Sequence, residues 1–130
     1  MWTDSSLLSP FILNDLFSEC VLASRTWEPF RAGIEIHWIY GSPNAASAAL
    51  LRYAPGAALE RHVHTGFEHI LVLRGFQTDD NGNHGRGTLL IHAPGTSHAV
   101  HSPKGCIVLA IWERSVYAIS PSSSEADKPR

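Results

Sequence analysis

From residue 33 onward, short runs rich in Ile, Val, Leu, Thr and aromatic residues alternate with clusters of Gly, Pro, Asn, Asp and Ser. The runs are 34–40, 45–54, 59–64, 67–73, 76–79, 88–92, 97–101 and 107–112. Turn signals separate them at Gly41-Ser42-Pro43-Asn44, Pro55-Gly56, Gly75, Asp80-Asn81-Gly82-Asn83, Pro94-Gly95 and Ser102-Pro103-Lys104-Gly105. Runs of this length with such boundaries read as β-strands. Between 33 and 119, Gly or Pro interrupts too often for a helix of three turns, so the fold class is all-β. Many short strands with frequent turns build a sandwich or a barrel. The segment 79–83 reads as a hairpin connection, in which Asn81-Gly82 supplies positive φ at little cost.

Alternation within a strand sorts side chains onto two faces. In 68–73, Glu68, Ile70 and Val72 share one face, while His69, Leu71 and Leu73 share the other. A small barrel needs only its inner face apolar, so the outer face of such strands requires a cover. Residues 1–26, with mixed signals, form an N-terminal arm that packs on the barrel or on a partner subunit. A second subunit covers several strands at once, and a homodimer is therefore the simpler expectation. Residues 27–119 make the single β domain. The tail 120–130, rich in Ser and charge, is expected to be disordered.

With 130 residues and 14.2 kDa, one domain is the expected count. Ten Lys and Arg against twelve Asp and Glu give a net charge of -2, with no basic stripe. That excludes a nucleic-acid binder and a peripheral membrane protein. No charged leader precedes an apolar segment, and no run is long enough to span a bilayer, so a cytoplasmic location is expected. Cys20 and Cys106 form no metal-type pair, and Cys106 sits in the apolar run 106–112 as a buried free thiol. One feature stands out from this ordinary background. Seven of the eight histidines lie between residues 62 and 101.

In His62-Val63-His64 the two imidazoles point to the same side of a strand. Glu68 follows beyond Gly66, where the chain can turn back. Its same-face neighbours Ile70 and Val72 are apolar, so its carboxylate needs a partner or a metal. His98, after the Pro94-Gly95 turn, is the natural fourth ligand. Three imidazoles and a carboxylate suit a divalent first-row metal. The expectation is one divalent metal per chain: zinc, iron, manganese or nickel. No cysteine is near, unlike most closed structural zinc sites. The remaining histidines read as unremarkable residues. His69 falls on the outer face and His84 in the solvated hairpin. His92 and His101 read as surface residues or as lining of the cavity mouth, and His37 as a satisfied core or interface histidine. Phe76 and Trp112 are core candidates, and Asp79 with Asp80 reads as a solvated turn.

Gly56 to Gly75 reads G-x5-H-x-H-x3-E-x6-G, which resembles the first cupin motif at every spacing. The second motif, G-x5-P-x-G-x2-H-x3-N, aligns on Gly87, Gly95 and His98, with Ala93 at its Pro and Ser102 at its Asn. The surrounding segments Trp27-Glu28-Pro29-Phe30, Leu51 to Ala57 and Ile70 to Gly75 resemble the ChrR-like cupin domain of anti-sigma factors, as do Pro94 to His98 and Gly105-Cys106. The resemblance spans about residues 27–112. It implies a jelly-roll β-barrel of the RmlC-like cupin type with a mononuclear metal held by His62, His64, Glu68 and His98. Anti-sigma proteins of this kind bind their sigma factor through a separate N-terminal helical domain with its own His/Cys zinc site. Here 26 residues with one Cys and no His stand in that place, so sigma-factor binding does not carry over.

Two functions remain in view. One is a module that binds a metal and senses a small-molecule ligand or oxidant. The other is a non-haem iron dioxygenase cleaving a β-diketone-like or enolate substrate. Diketone-cleaving cupins use three histidines without a Glu ligand, so Glu68 fits that reading less well. The intact ligand set argues against the metal-independent sugar-nucleotide isomerases of the same superfamily.

Overall fold

In the computed structural model, which describes residues 9–42, 45–114 and 116–118, strands make up nearly all regular structure. They are β1 (Glu28–Arg31), β2 (Ile34–Gly41), β3 (Ser47–Tyr53), β4 (Ala57–His64), β5 (Glu68–Asp79), β6 (Gly82–Gly85), β7 (Leu89–His92), β8 (Ser97–Ser102), β9 (Cys106–Trp112) and β10 (Val116–Ala118). One short helix, α1 (Glu19–Ala23), precedes them. The expected tail 120–130 and residues 1–8 lie outside the described residues.

The runs 67–73 and 76–79 are not two strands but one, the 12-residue β5. Gly75 was expected to break the chain. It instead bends the strand, with φ of 67° and a register shift between Val72 and Arg74. A Cβ at Gly75 would collide with the carbonyl oxygen of Gly105, so this crossing accepts only glycine. Three strands, β1, β6 and β10, were not anticipated. β1 contains Pro29, which is tolerated because β1 pairs only with β2 and stands at the sheet edge. β6 lies in what reads as turn sequence. Pairing with the second half of β5 overrides its poor strand propensity and shrinks the turn to Asp80-Asn81.

All pairings are antiparallel, and β5 takes part in both halves of the sheet. Its first half pairs with β9 and β7, continuing the order β1-β2-β3-β9-β5-β7. Its last residues pair with β6 and β8, from which β4 and β10 extend. The curled sheet is a jelly roll. Its interior holds Ile34, Ile36, Leu51, Val72, Val108 and Trp112, among others, at one end of which the polar residues of the next section sit.

The outer face has its own apolar cluster. Leu50 of β3 and Leu73 of β5 are fully buried against Leu22 of α1, with Leu16, Trp27, Ile39 and Leu109 around them. Trp27 Nε1 donates to the Leu22 carbonyl at 3.0 Å, and the Arg52 guanidinium lies 4.4 Å over the Trp27 ring while pairing with Glu35 at 2.7 Å. The segment before β1 therefore covers the middle of this face. Farther along it, Phe67, Leu89, Ile91 and Ile111 remain exposed. Both cysteines are free, and burial pushes the Cys106 thiol up to about 11. No helix among the described residues is long and apolar enough to cross a membrane.

Leu22→Ala should lower unfolding stability by about 3 kcal/mol, because the cluster loses a fully buried side chain. Cys20→Ala, at an exposed position of the same helix, should change it by less than about 0.5 kcal/mol. Urea unfolding followed by far-ultraviolet dichroism checks both. Equal effects would show that α1 contributes through the helix itself and not through Leu22.

Candidate metal centre

Strand pairing assembles the site. His62 and His64 face inward from the end of β4, and the β4/β8 register sets His62 directly opposite His98. After the turn at Thr65-Gly66-Phe67, Glu68 opens β5 opposite Trp112 of β9 and His92 of β7. His62, His64, Glu68 and His98 are all buried. One donor atom from each lies within 4.8 Å of every other, so the four could hold a metal ion. His62 Nε2 and His98 Nε2 are 2.9 Å apart, His64 Nε2 and Glu68 Oε1 3.0 Å, and His98 Nε2 and Glu68 Oε1 3.6 Å. The expected ligand positions are thus brought together.

The groups behind these donors aim them. His62 Nδ1 donates to the Glu60 carbonyl at 2.9 Å, and His64 Nδ1 faces the Thr96 carbonyl at 3.1 Å and Thr96 Oγ1 at 3.0 Å. Thr96 Oγ1 gives its own proton to the Ala93 carbonyl at 2.6 Å, so it accepts from the imidazole. With Nδ1 protonated in this way, each Nε2 turns a bare lone pair into the cavity, the tautomer that metal-ligating histidines use. Trp112 Nε1 donates to Glu68 Oε2 at 2.6 Å, leaving Oε1 facing the imidazoles. Yet His64 Nε2 and Glu68 Oε1, although 3.0 Å apart, are buried without a hydrogen-bond partner. A cation between these two atoms would satisfy both, and the N/O donor set fits a divalent first-row ion.

The charges agree with the geometry. Burial alone would raise the Glu68 carboxyl, but His64, then His62 and His98, hold it down at about 2. Burial lowers His62, and burial followed by its neighbour His62 pushes His98 down to about 3. At neutral pH the Glu68 carboxyl is ionised and the His62 and His98 imidazoles beside it are neutral, so the buried carboxylate favours a cation.

Other histidines depart from the sequence reading. His84 is not solvated, and Asp79 is not part of a solvated turn. His84 Nε2 meets Asp79 Oδ1 at 2.8 Å, and the Asp79 side chain is only 1% exposed. The reason is β6, which folds the hairpin back along β5. Asp80 pairs with Arg61 at 2.9 Å. His92 lies against the centre, its ring stacked on His64 and close to His98. Its sequence signal was ambiguous, because Leu89, Leu90 and Ile91 before it are apolar on both faces. His101 is exposed, His69 lies on the outer face, and His37 meets the Thr26 carbonyl at 2.9 Å. Trp112 is buried as expected, whereas Phe76 is half-buried.

A jelly roll with inward histidines on β4 and β8 and a glutamate opening β5 defines a cupin. More narrowly, the chain belongs to the ChrR cupin-like domain family, whose sequence profile matches residues 19–115. Among solved structures it is similar to the complex of Rhodobacter sphaeroides SigE with the anti-sigma ChrR, at 28% identity and a TM-score of 0.62. That match covers 70% of this chain and 50% of the other, so the chain spans about half the length of that relative. It also resembles an RmlC-like cupin from Ralstonia eutropha (16% identity, TM-score 0.68, 83% of this chain and 73% of that one). An acetylacetone dioxygenase from Acinetobacter johnsonii shares the fold at 15% identity and a TM-score of 0.67, covering 78% and 75%. No curated protein matches the chain.

The depressed values set a pH dependence for the metal-free protein. In the unfolded chain His62 and His98 return to about 6.5 and Glu68 to about 4.5. As pH falls the unfolded chain takes up protons first. The neutral imidazoles' contribution is complete above about pH 6.5 and is lost toward about pH 3; the Glu68 part is lost between about 4.5 and 2. Thermal midpoints of chelator-treated protein should therefore fall steadily from about pH 7.5 to about pH 5. A flat profile there would contradict the burial of these histidines as neutral groups.

Proposed function

We propose that the chain is a metal-binding module of the ChrR type. It holds one divalent ion on His62, His64, Glu68 and His98 and senses a small ligand or oxidant. The observation that carries this reading is the buried set of three imidazoles and one carboxylate with donor atoms within 4.8 Å of one another, of which His64 Nε2 and Glu68 Oε1 are without partners. A bound ion supplies positive charge and an open position for a ligand atom. The protein's part is to bury the four donors and to hold three of them in place, His62 through the Glu60 carbonyl, His64 through Thr96 and Glu68 through Trp112.

A route from the centre to the surface supports the sensing role. Trp112 bonds to Glu68, its ring lies 6.3 Å from Trp38, and Trp38 lies 6.3 Å from Phe30. Trp112 is buried while Trp38 is 40% exposed. A shift of Glu68 on ligand binding therefore displaces an aromatic row that ends in solvent. The dioxygenase reading has weaker support: the similarity to an acetylacetone dioxygenase is one of fold, whereas the family match is to ChrR cupins.

Elemental analysis of protein purified without chelators should find close to one metal per chain. His62→Ala and His98→Ala should each abolish stoichiometric binding, and full retention in both would refute the assignment. Adding metal to stripped protein should alter tryptophan emission, and Trp112→Phe should remove most of that change while leaving the metal count intact. An unchanged response in Trp112→Phe would break the proposed route.

A further inference from the structure

The described residues include one more imidazole beside this centre than the four-residue reading uses. His92 Nε2 is buried without a hydrogen-bond partner and lies 3.9 Å from Glu68 Oε1. The β5/β7 register puts His92 directly across from Glu68, so the closeness is built into the sheet. We infer that His92 is a fifth protein donor to the metal of this centre, which thereby takes a six-coordinate ion and keeps a single position open. The inference rests on the metal-binding reading above.

Ring geometry supports it. With metal–nitrogen bonds of about 2.1 Å, neighbouring imidazoles on one ion place their centroids roughly 4.5 Å apart. Among His62, His64 and His98 the centroid distances are 4.5, 4.6 and 5.2 Å. His92 lies 4.3 Å from His98 and 4.8 Å from His64, inside nearly the same range. It stands on β7, its ring stacked on that of His64. It falls just outside the quartet whose donors all lie within 4.8 Å of one another, so a rotation of its side chain must bring it onto the ion. Nothing blocks that in bonding terms, since Nε2 has no partner to give up.

A second carboxylate stands behind this corner. Donor atoms of Asp79, His92 and His98 lie within 4.8 Å of one another, and His98 Nδ1 is also buried without a partner. Asp79 is held by His84 and by the Asn81 amide. A negative group this close to His92 and His98 adds to the attraction of this corner for a cation.

The consequence is chemical selectivity. Four protein donors on a six-coordinate ion leave room for a chelating diketone, whereas five leave one position, which takes a single donor atom. The ligand class is then a small monodentate anion or a peroxide, not a bidentate enolate. Five donors also favour iron, manganese, cobalt or nickel over zinc, which closes at four.

Cobalt(II) titration into stripped full-length chain, read by visible absorption and by bound cobalt, tests the inference. The protein should bind one cobalt with weak bands of high coordination number. Azide should perturb those bands, and acetylacetone should leave them unchanged. His92→Ala should bind cobalt roughly 10–100-fold more weakly, the range seen when groups supporting a metal are removed. Its bands should change in intensity, acetylacetone should then perturb them, and added imidazole should restore the original spectrum. His69→Ala, on the opposite face of β5, serves as control and should match the unaltered protein. Should His92→Ala fail to fold, His92→Gln is read in the same way. A folded variant with unchanged affinity and spectrum overturns the role of His92 alone, as does acetylacetone binding equally well with and without His92. Absence of stoichiometric cobalt binding in the unaltered protein overturns the metal-binding reading itself.

Discussion

The barrel depends on one strand running through both halves of its sheet. β5 can do so because Gly75 takes a positive φ and passes against the Gly105 carbonyl, where any Cβ would collide. One end of the strand delivers Glu68 to the interior beside β9 and β7. The other delivers Asp79 beside β6 and β8. Were β5 two strands joined by a loop, the two carboxylates would be positioned independently. As one bent strand, it brings both to the same group of histidines.

That group is costly to bury. A carboxylate, imidazole nitrogens and a tryptophan donor are buried beside a largely apolar core. Buried polar atoms without partners are rare in native proteins. Among the described residues, four of the five such side-chain atoms lie on Glu68, His64, His92 and His98, the fifth being Arg25 Nε. Concentrating them at one point, with His62, His64 and Glu68 each held from behind by a hydrogen bond, is the arrangement of a site completed by an ion. Specificity then turns on how many donors reach that ion. The number of remaining positions decides between chelation and single-atom binding.

Family membership and fold similarity speak to different questions. The ChrR cupin-like match covers residues 19–115 and includes α1, whose Leu22 seals the outer face of β3, β5 and β9. The likeness to an acetylacetone dioxygenase concerns the arrangement of strands. One fold hosts many chemistries, so the residues at the centre carry the functional argument. They include a glutamate tied to a tryptophan row that leads outward, which suits reporting a bound ligand.

What the sequence determined by itself was local. The two-residue period places His62 and His64 on one face of β4. Glu68 among Ile70 and Val72 marks an inward carboxylate, and the glycine-bounded motifs align His98 with them. These depend on strand parity, which neighbouring residues set. The tertiary structure decided everything that depends on register between distant segments. It joined two runs into β5 and made strands of Glu28–Arg31 and Gly82–Gly85. It turned His84 onto Asp79 and set His92 across from Glu68. No local signal could place His92, since the apolar residues before it occupy both faces of β7 and leave its parity open. Only the pairing with β5, which sets His92 opposite Glu68, turns that histidine toward the centre.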